Sequence, residues 1–282
     1  MPSPLLEPLI AVGVPAGAAG LAGILLWLLR RHRPVGAPAP IGWEGAALAL
    51  GLAGGVILLR GWSGFPPSNI NDWPAFLAIL AAMVAVCAGL PWRIFGPLAL
   101  VAVAIAAPLI LSVARRTWGL GESALWLPAL GIPWLVLILL SRATAERLPA
   151  AILPAWAATV TVSAIVMVQA SSASLAMVLG GPAAAAGALA VLRLVCGDSV
   201  RPASAAVALA LSAPLWWLLA HTLTDNVPVL ALVPLAAAPL AAWLAWPLRA
   251  RPWPAAIVAA LAAGGIAALS LLWVRVPPPV AW

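Results

Sequence analysis

The sequence contains no lysine and no tyrosine, and only two cysteines, two histidines and seven acidic residues among 282. Charged residues make up 7% of the chain, whereas a soluble domain carries about a quarter. So little charge cannot cover a protein surface in water, which excludes a water-soluble globular protein. No stretch of about 50 residues is polar enough to fold as a separate soluble domain, so an enzyme merely anchored to a membrane is excluded too. The scarcity of histidine and cysteine limits the chemistry further. No Cys/His/Asp cluster has zinc or iron spacing, so no metal and no cofactor is expected. There is no Walker A sequence, no Rossmann glycine run and no D-x-x-x-D magnesium pair, which leaves nucleotide-dependent chemistry without residues.

What the chain does have is apolar length. Hydrophobic residues make up 65% of it and the mean hydropathy is +1.12. A bilayer core about 30 Å thick needs roughly 20 apolar residues per helix. The charged residues divide the chain into ten such runs: 8–29, 45–59, 74–90, 94–113, 123–140, 148–168, 175–192, 203–220, 227–247 and 253–274. Lipid permits only helices or closed barrels, and the runs lack the period-2 alternation of barrel strands. The expected fold is all-α, a polytopic bundle of about ten spans forming one integral membrane domain over 1–282. The runs 45–59 and 94–113 are the weakest, one being short and the other joined to its predecessor only by Pro91, Trp92 and Arg93.

The basic residues, all 14 of them arginine, set the orientation. With ten spans, one side holds Arg30, Arg31, Arg33, Arg93, Arg142, Arg147, Arg193, Arg201, Arg249 and Arg251, and the other holds Arg60, Arg115, Arg116 and Arg275. The positive-inside rule then places both termini outside the cytoplasm of a bacterial inner (cytoplasmic) membrane. Residues 1–7 have no basic n-region and the first run ends in Arg30 to Arg33 without a small-residue cleavage site, so a retained span is expected there. The net charge of +7 is explained by arginines near anionic lipid; no nucleic-acid partner is expected. Cys87 and Cys196 fall near cytoplasmic span ends, where two free, buried thiols are expected. With ten spans His32 and His221 fall on opposite faces of the membrane, which excludes a bis-His haem.

Trp43, Trp62, Trp73, Trp92, Trp118, Trp126, Trp246, Trp253 and Trp273 lie near span ends, an aromatic belt at the headgroups. Trp134, Trp156 and Trp243 lie deeper. Small residues at helical spacing, Gly13 with Gly17, Gly51 with Gly55, and Gly264 beside Gly265, predict close helix packing. Prolines 108, 133, 154, 214, 234 and 239 fall inside spans, where each removes a backbone donor and bends its helix. The sharpest expected break is Gly180, Gly181 and Pro182 in the seventh run, preceded by Gln169, Ser171, Ser172 and Ser174. Broken helices at mid-membrane expose backbone polar groups to substrates in many transporters. Two inverted halves, about 1–147 and 148–282, would set this break against Gly54 and Gly55.

Ionisable groups at membrane depth would mark ion coupling or catalysis. Here Glu7, Glu44, Asp72, Glu122, Glu146, Asp198 and Asp225 all fall at or beyond span ends. Gly61, Trp62, Ser63 and Gly64 form a G-x-S-G that resembles the nucleophile motif of rhomboid intramembrane proteases. The rest of that pattern is missing and Phe65, Pro66 and Pro67 follow at once. Cys196, Gly197 and Asp198 resemble the G-x-G-D of presenilin-like aspartyl proteases, with Val195 in place of the first glycine and no second aspartate at depth. His221 and Asp225 read as an interfacial cap before the turn Asn226, Val227, Pro228. No catalytic residue is expected.

Two stiff aromatic segments on the outer side are candidates for docking a partner: the loop carrying Trp62, Phe65 and Trp73, and the C-terminal Pro277 to Pro279 stretch ending in Trp282. The sequence therefore predicts a non-enzymatic, structural or accessory subunit of a membrane complex, partnered by the lipid bilayer and by other membrane subunits or an extracytoplasmic protein. The alternative is a carrier of an apolar or lipid-like substrate, using Gln169, Ser171, Ser172, Ser174 and the break at Gly180, Gly181 and Pro182.

Overall fold

The computed structural model describes residues 6–31, 42–61, 73–110, 120–170, 173–197, 200–223 and 226–274. These residues form only helices and their connections. The helices are α1 (Leu6–Arg31), α2 (Trp43–Arg60), α3 (Trp73–Val86), α4 (Trp92–Ile110), α5 (Leu120–Arg147), α6 (Ile152–Gln169), α7 (Ala173–Cys196), α8 (Pro202–Leu223), α9 (Val229–Ala237) and α10 (Pro252–Ala268). Tighter 3-10 turns extend α3 over Cys87–Gly89, α9 over Ala238–Leu248 and α10 over Leu269–Leu272. Each apolar run thus has its helix. Among the described residues, seven helices are long and apolar enough to cross a membrane, from Trp92–Leu109 to Pro252–Leu272; Ile10–Leu25, Trp43–Leu58 and Ala75–Gly89 are apolar but shorter. The protein is a multi-pass membrane helix bundle.

The 3-10 continuation of α9 is eleven residues long, well beyond the usual three or four. Pro239 and Pro247 lie near its two ends and cannot donate to a preceding carbonyl. At about 2 Å per residue this segment rises roughly 22 Å, and with α9 the rod reaches about 35 Å, enough for a bilayer core.

The bundle is organised around α8, a helix of alanine, leucine and tryptophan that is buried along nearly its whole length. Helices α2, α3, α5, α6 and α7 pack against it. Close approaches fix the directions. Gly51 faces Pro15 and Ala18 of α1, and Gly55 faces Ile10 and Pro15, so α1 and α2 are antiparallel. Gly181 faces Ala11 and Pro15, and Gly23 faces Leu189 and Leu192, so α1 and α7 are parallel. Two hydrogen bonds join α8 to its neighbours: Trp134 Nε1 of α5 donates to the Ala210 carbonyl of α8 at 3.0 Å, and Trp217 Nε1 of α8 donates to Ser163 Oγ of α6 at 3.0 Å. Contacts at the helix ends, Gly45 N–H with Ser204 Oγ, Gly42 with Ser204 and Ala85, and Arg142 with the Leu90 carbonyl, place the α2 and α8 N-termini with the α3 and α5 C-termini at one end of the bundle. That end carries Arg93, Arg142, Arg147, Arg193, Arg201, Arg249 and Arg251.

The structure differs from three sequence expectations. First, α7 is a continuous helix through Gly180, Gly181 and Pro182. The glycines serve contact instead of a break, because a Cβ on Gly181 would collide with the Ala11 carbonyl oxygen and lie 2.8 Å from Pro15 Cγ. Second, α5 does not stop at Leu140 but continues to Arg147, because Arg142 is buried against the Leu90 carbonyl and pairs with Glu146. Third, Cys87 and Cys196 are free, as expected, but only half-buried. The small-residue seams hold in part: Gly51 and Gly55 meet α1 and Gly264 meets Ala158 of α6, while Gly13, Gly17 and Gly265 have open space beside them.

Candidate functional site

Apart from Ser141 Oγ, Trp156 Nε1, Trp216 Nε1 and Ser270 Oγ, which are buried without a hydrogen-bond partner, the polar side chains buried in the bundle divide into two kinds. Thr144, Thr159, Ser163 and Ser212 donate to the carbonyl one turn earlier in their own helices, at 2.7–2.8 Å. These hydroxyls place their own proton locally, and Thr144 and Ser163 also accept from Trp243 and Trp217 of other helices. The second kind forms a polar knot at the arginine-rich end, where four helix ends meet.

Glu44 stands in the first turn of α2 and is completely buried. Its Oε1 accepts from the Arg201 backbone N–H at 3.0 Å, and its Oε2 faces Ser204 Oγ at 3.5 Å. Ser204 Oγ in turn accepts from the Gly45 backbone N–H at 3.1 Å. One carboxylate therefore lies at the N-termini of both α2 and α8, where the exposed N–H groups and helix dipoles favour negative charge. Gly45 makes this possible, since a Cβ there would collide with the Ser204 carbonyl. The sequence places Glu44 at a span end, and that position alone gives no sign of its burial. The missed signal is the Gly42-Trp43-Glu44-Gly45 pattern, in which flanking glycines let a second helix approach the acid.

On the facing side Arg142 is only 4% exposed. Its Nη2 donates to the Leu90 carbonyl at 2.6 Å and its Nε to Glu146 Oε1 at 2.9 Å. The guanidinium carbon lies 4.2 Å from the Trp92 ring centroid and 4.4 Å from that of Phe95, within cation–π range. Trp92 Nε1 closes the loop by donating to Glu146 Oε2 at 3.3 Å. Arg142 thus ties the α3–α4 corner to α5. Trp243 Nε1 adds the α9 rod by donating to Thr144 Oγ1 at 2.8 Å. Between the Glu44 and Arg142 groups lies a cavity of about 400 Å³ lined by Arg142, Glu146, Arg201, Ser204 and the small residues around them.

The residues singled out from sequence are not brought together. Gln169 is the exposed last residue of α6, and Ser174 begins α7, while Gly180, Gly181 and Pro182 lie further along α7 against α1. Ser171 and Ser172 lie outside the described residues, as do Trp62, Ser63, Phe65, Asp72, Asp198, Asp225 and Trp282. Trp73 is half-buried at the start of α3, edge-on to Phe76 with centroids 6.4 Å apart. Gly197 has φ +61°, the left-handed conformation of a helix C-cap. Arg193 Nη1 donates to its carbonyl at 2.7 Å, so the Cys196-Gly197 pair closes α7. His221 Nδ1 donates to the Val227 carbonyl at 2.8 Å, which joins the end of α8 to the segment before Pro228. Among the described residues no group of three or more His, Cys, Asp or Glu is placed to hold a metal ion.

A second, apolar cavity of about 220 Å³ opens between α5, α8 and α9, walled by Pro133, Trp134, Pro214, Trp217 and Leu232. No family model matches this sequence, and neither a curated protein nor a solved structure matches it.

Proposed function

We propose that this chain is a structural or accessory subunit of a membrane protein complex. The observation that carries the reading is how the interior polar groups are used: Glu44, Arg142, Ser163, Trp134, Trp217 and Trp243 each join one helix to another. Such cross-links hold neighbouring helices in fixed register, as a scaffold requires.

The proposed topology has ten spans and both termini on the extracytoplasmic face of a bacterial inner membrane. It is supported by the alternation of helix directions and by the collection of arginines at one end. Two inverted halves, 1–147 and 148–282, find support in the matching close pairs α1–α2 and α6–α7. The extensive α1–α7 packing has no α6–α2 counterpart and weighs against them. Other membrane subunits or an extracytoplasmic protein would dock on the outer face through Trp62, Phe65, Trp73 and Trp282.

Gentle purification from native membranes tests the reading. A stoichiometric complex that loses its partner when Trp62 and Phe65 are replaced by serine is the expected result, and a lone protein would overturn it. A second reading, a carrier of an apolar or lipid-like substrate, is favoured by the cavity between α5, α8 and α9, whose walls suit a hydrocarbon chain. Recovery of the protein alone with a bound apolar molecule would support that reading instead.

A further inference from the structure

The eleven-residue 3-10 segment after α9 does something that an α-helix of the same sequence would not. With three residues per turn, side chains at i and i+3 eclipse, so Trp243, Trp246 and Arg249 stand in one row along the rod. An α-helix would turn each of them about 60° away from the last. The rings of Trp243 and Trp246 stack, with centroids 5.5 Å apart and planes 17° from parallel. The Arg249 guanidinium carbon lies 4.4 Å from the Trp246 centroid. Its backbone N–H donates to the Trp246 carbonyl at 3.2 Å, which carries the three-residue turn to the end of the row. The end of α5 meets this row: Trp243 Nε1 is held by Thr144 Oγ1, and Arg147, one turn further on, brings its guanidinium carbon to 5.7 Å from the Trp243 centroid. Arg147 and Arg249 are both exposed. Neither has a carboxylate or carbonyl partner for its side chain among the described residues, and the neighbouring acid, Glu146, is taken by Arg142 and Trp92. A ring beneath a guanidinium fixes its position and leaves N–H donors for an outside acceptor.

We propose that this row, closed by Arg147, is the docking site for the headgroup of an anionic phospholipid, in which Arg147 and Arg249 supply the positive charge. Charge complementarity carries the assignment. Arg251, two residues beyond the row, is exposed as well, so three cations gather where the acid nearest in sequence is already paired. Guanidinium forks match phosphate oxygens. The bilayer is the source of such an anion at this depth: Trp246 and Trp253 are exposed at the end of the rod and the start of α10, where indoles sit among headgroups, and clustered arginines beside a span attract anionic lipid. The site draws on both α5 and the α9 rod. An occupant therefore ties the two together and stabilises the folded bundle by mass action.

The test uses the full chain purified in detergent, with phosphatidylglycerol and the zwitterionic phosphatidylcholine as probes. Melting temperature and retained lipid by native mass spectrometry are the readouts. Phosphatidylglycerol should be retained and should raise the melting temperature; phosphatidylcholine should do neither. Arg147→Gln and Arg249→Gln, each at an exposed side chain, should leave the melting temperature without lipid nearly unchanged and weaken phosphatidylglycerol binding about tenfold, the loss of one charge-assisted contact. Arg93→Gln, an exposed arginine at the same end of the bundle but on α4, should leave that binding unchanged. Equal stabilisation by the two lipids overturns the proposal. So does an equal loss in all three variants, which would reduce the site to diffuse surface charge. Retention of a polypeptide in place of lipid, lost in Arg147→Gln or Arg249→Gln, would assign the row to an acidic protein segment and overturn it too.

Discussion

At the scale of single residues, this protein separates two kinds of glycine that look alike in sequence. Gly45 faces the backbone of Ser204 so closely that no Cβ fits, while Gly13 has nothing beside it. Gly45→Ala must push α2 away from α8 and pull Glu44 from the N–H groups it holds. Overpacking of this kind costs about 1–3 kcal/mol, and the weakened hydrogen bonds add to it. Gly13→Ala loses no contact and gains up to about 1 kcal/mol of helix propensity. Thermal unfolding in detergent should therefore show a lower melting temperature for Gly45→Ala and an equal or higher one for Gly13→Ala. Glu44 shows the same dependence on neighbours. Its position in the chain marks a helix start, and only the arrival of Ser204 and Arg201 from about 160 residues away makes it a buried junction.

At the scale of elements, proline and charge both misplace boundaries when read locally. The Gly180-Gly181-Pro182 sequence has every mark of a helix breaker, yet α7 is continuous because α1 occupies the groove that the glycines leave. The missing donor at Pro182 costs one hydrogen bond in a 24-residue helix, which neighbouring helices and local adjustment absorb. Pro182→Ala should accordingly leave the fold and the melting temperature nearly unchanged. Gly181→Leu should separate α1 from α7 and lower the melting temperature by several degrees; equal stability of the two variants would show that the α1–α7 contact is not what the glycines are for. The extension of α5 past Leu140 follows the same logic. Arginine at a membrane boundary reads as the end of a span, but the Leu90 carbonyl, Glu146 and two aromatic rings give Arg142 the partners that let it stay within the helix.

At the scale of the whole molecule, the alternation of helix directions makes a prediction that needs no knowledge of function. Residues 251 and 226 lie at opposite ends of the bundle, one after the α9 rod and one before it. In a background with Cys87 and Cys196 replaced by serine, Arg251→Cys should react with a membrane-impermeant maleimide only in inside-out vesicles. Asn226→Cys should react only in right-side-out vesicles. Labelling of both from the same side would remove the α9 rod from the list of spans and with it the proposed topology.

The sequence by itself determined the solvent, the helical class, the approximate limits of the ten apolar helices and the gathering of arginines at alternate connections. All of these follow from one-dimensional facts: the length of apolar runs against the thickness of a bilayer, and the cost of leaving backbone groups unpaired in lipid. The tertiary structure decided which helix stands at the centre, which glycines are contacts, where α5 ends, and that Glu44 and Arg142 are both buried at one end of the bundle. Those depend on which distant segments meet. In a chain with apolar residues on every helix face, no periodic pattern marks the inward side, so the packing partners are set by shape and by a few polar contacts that only folding brings together.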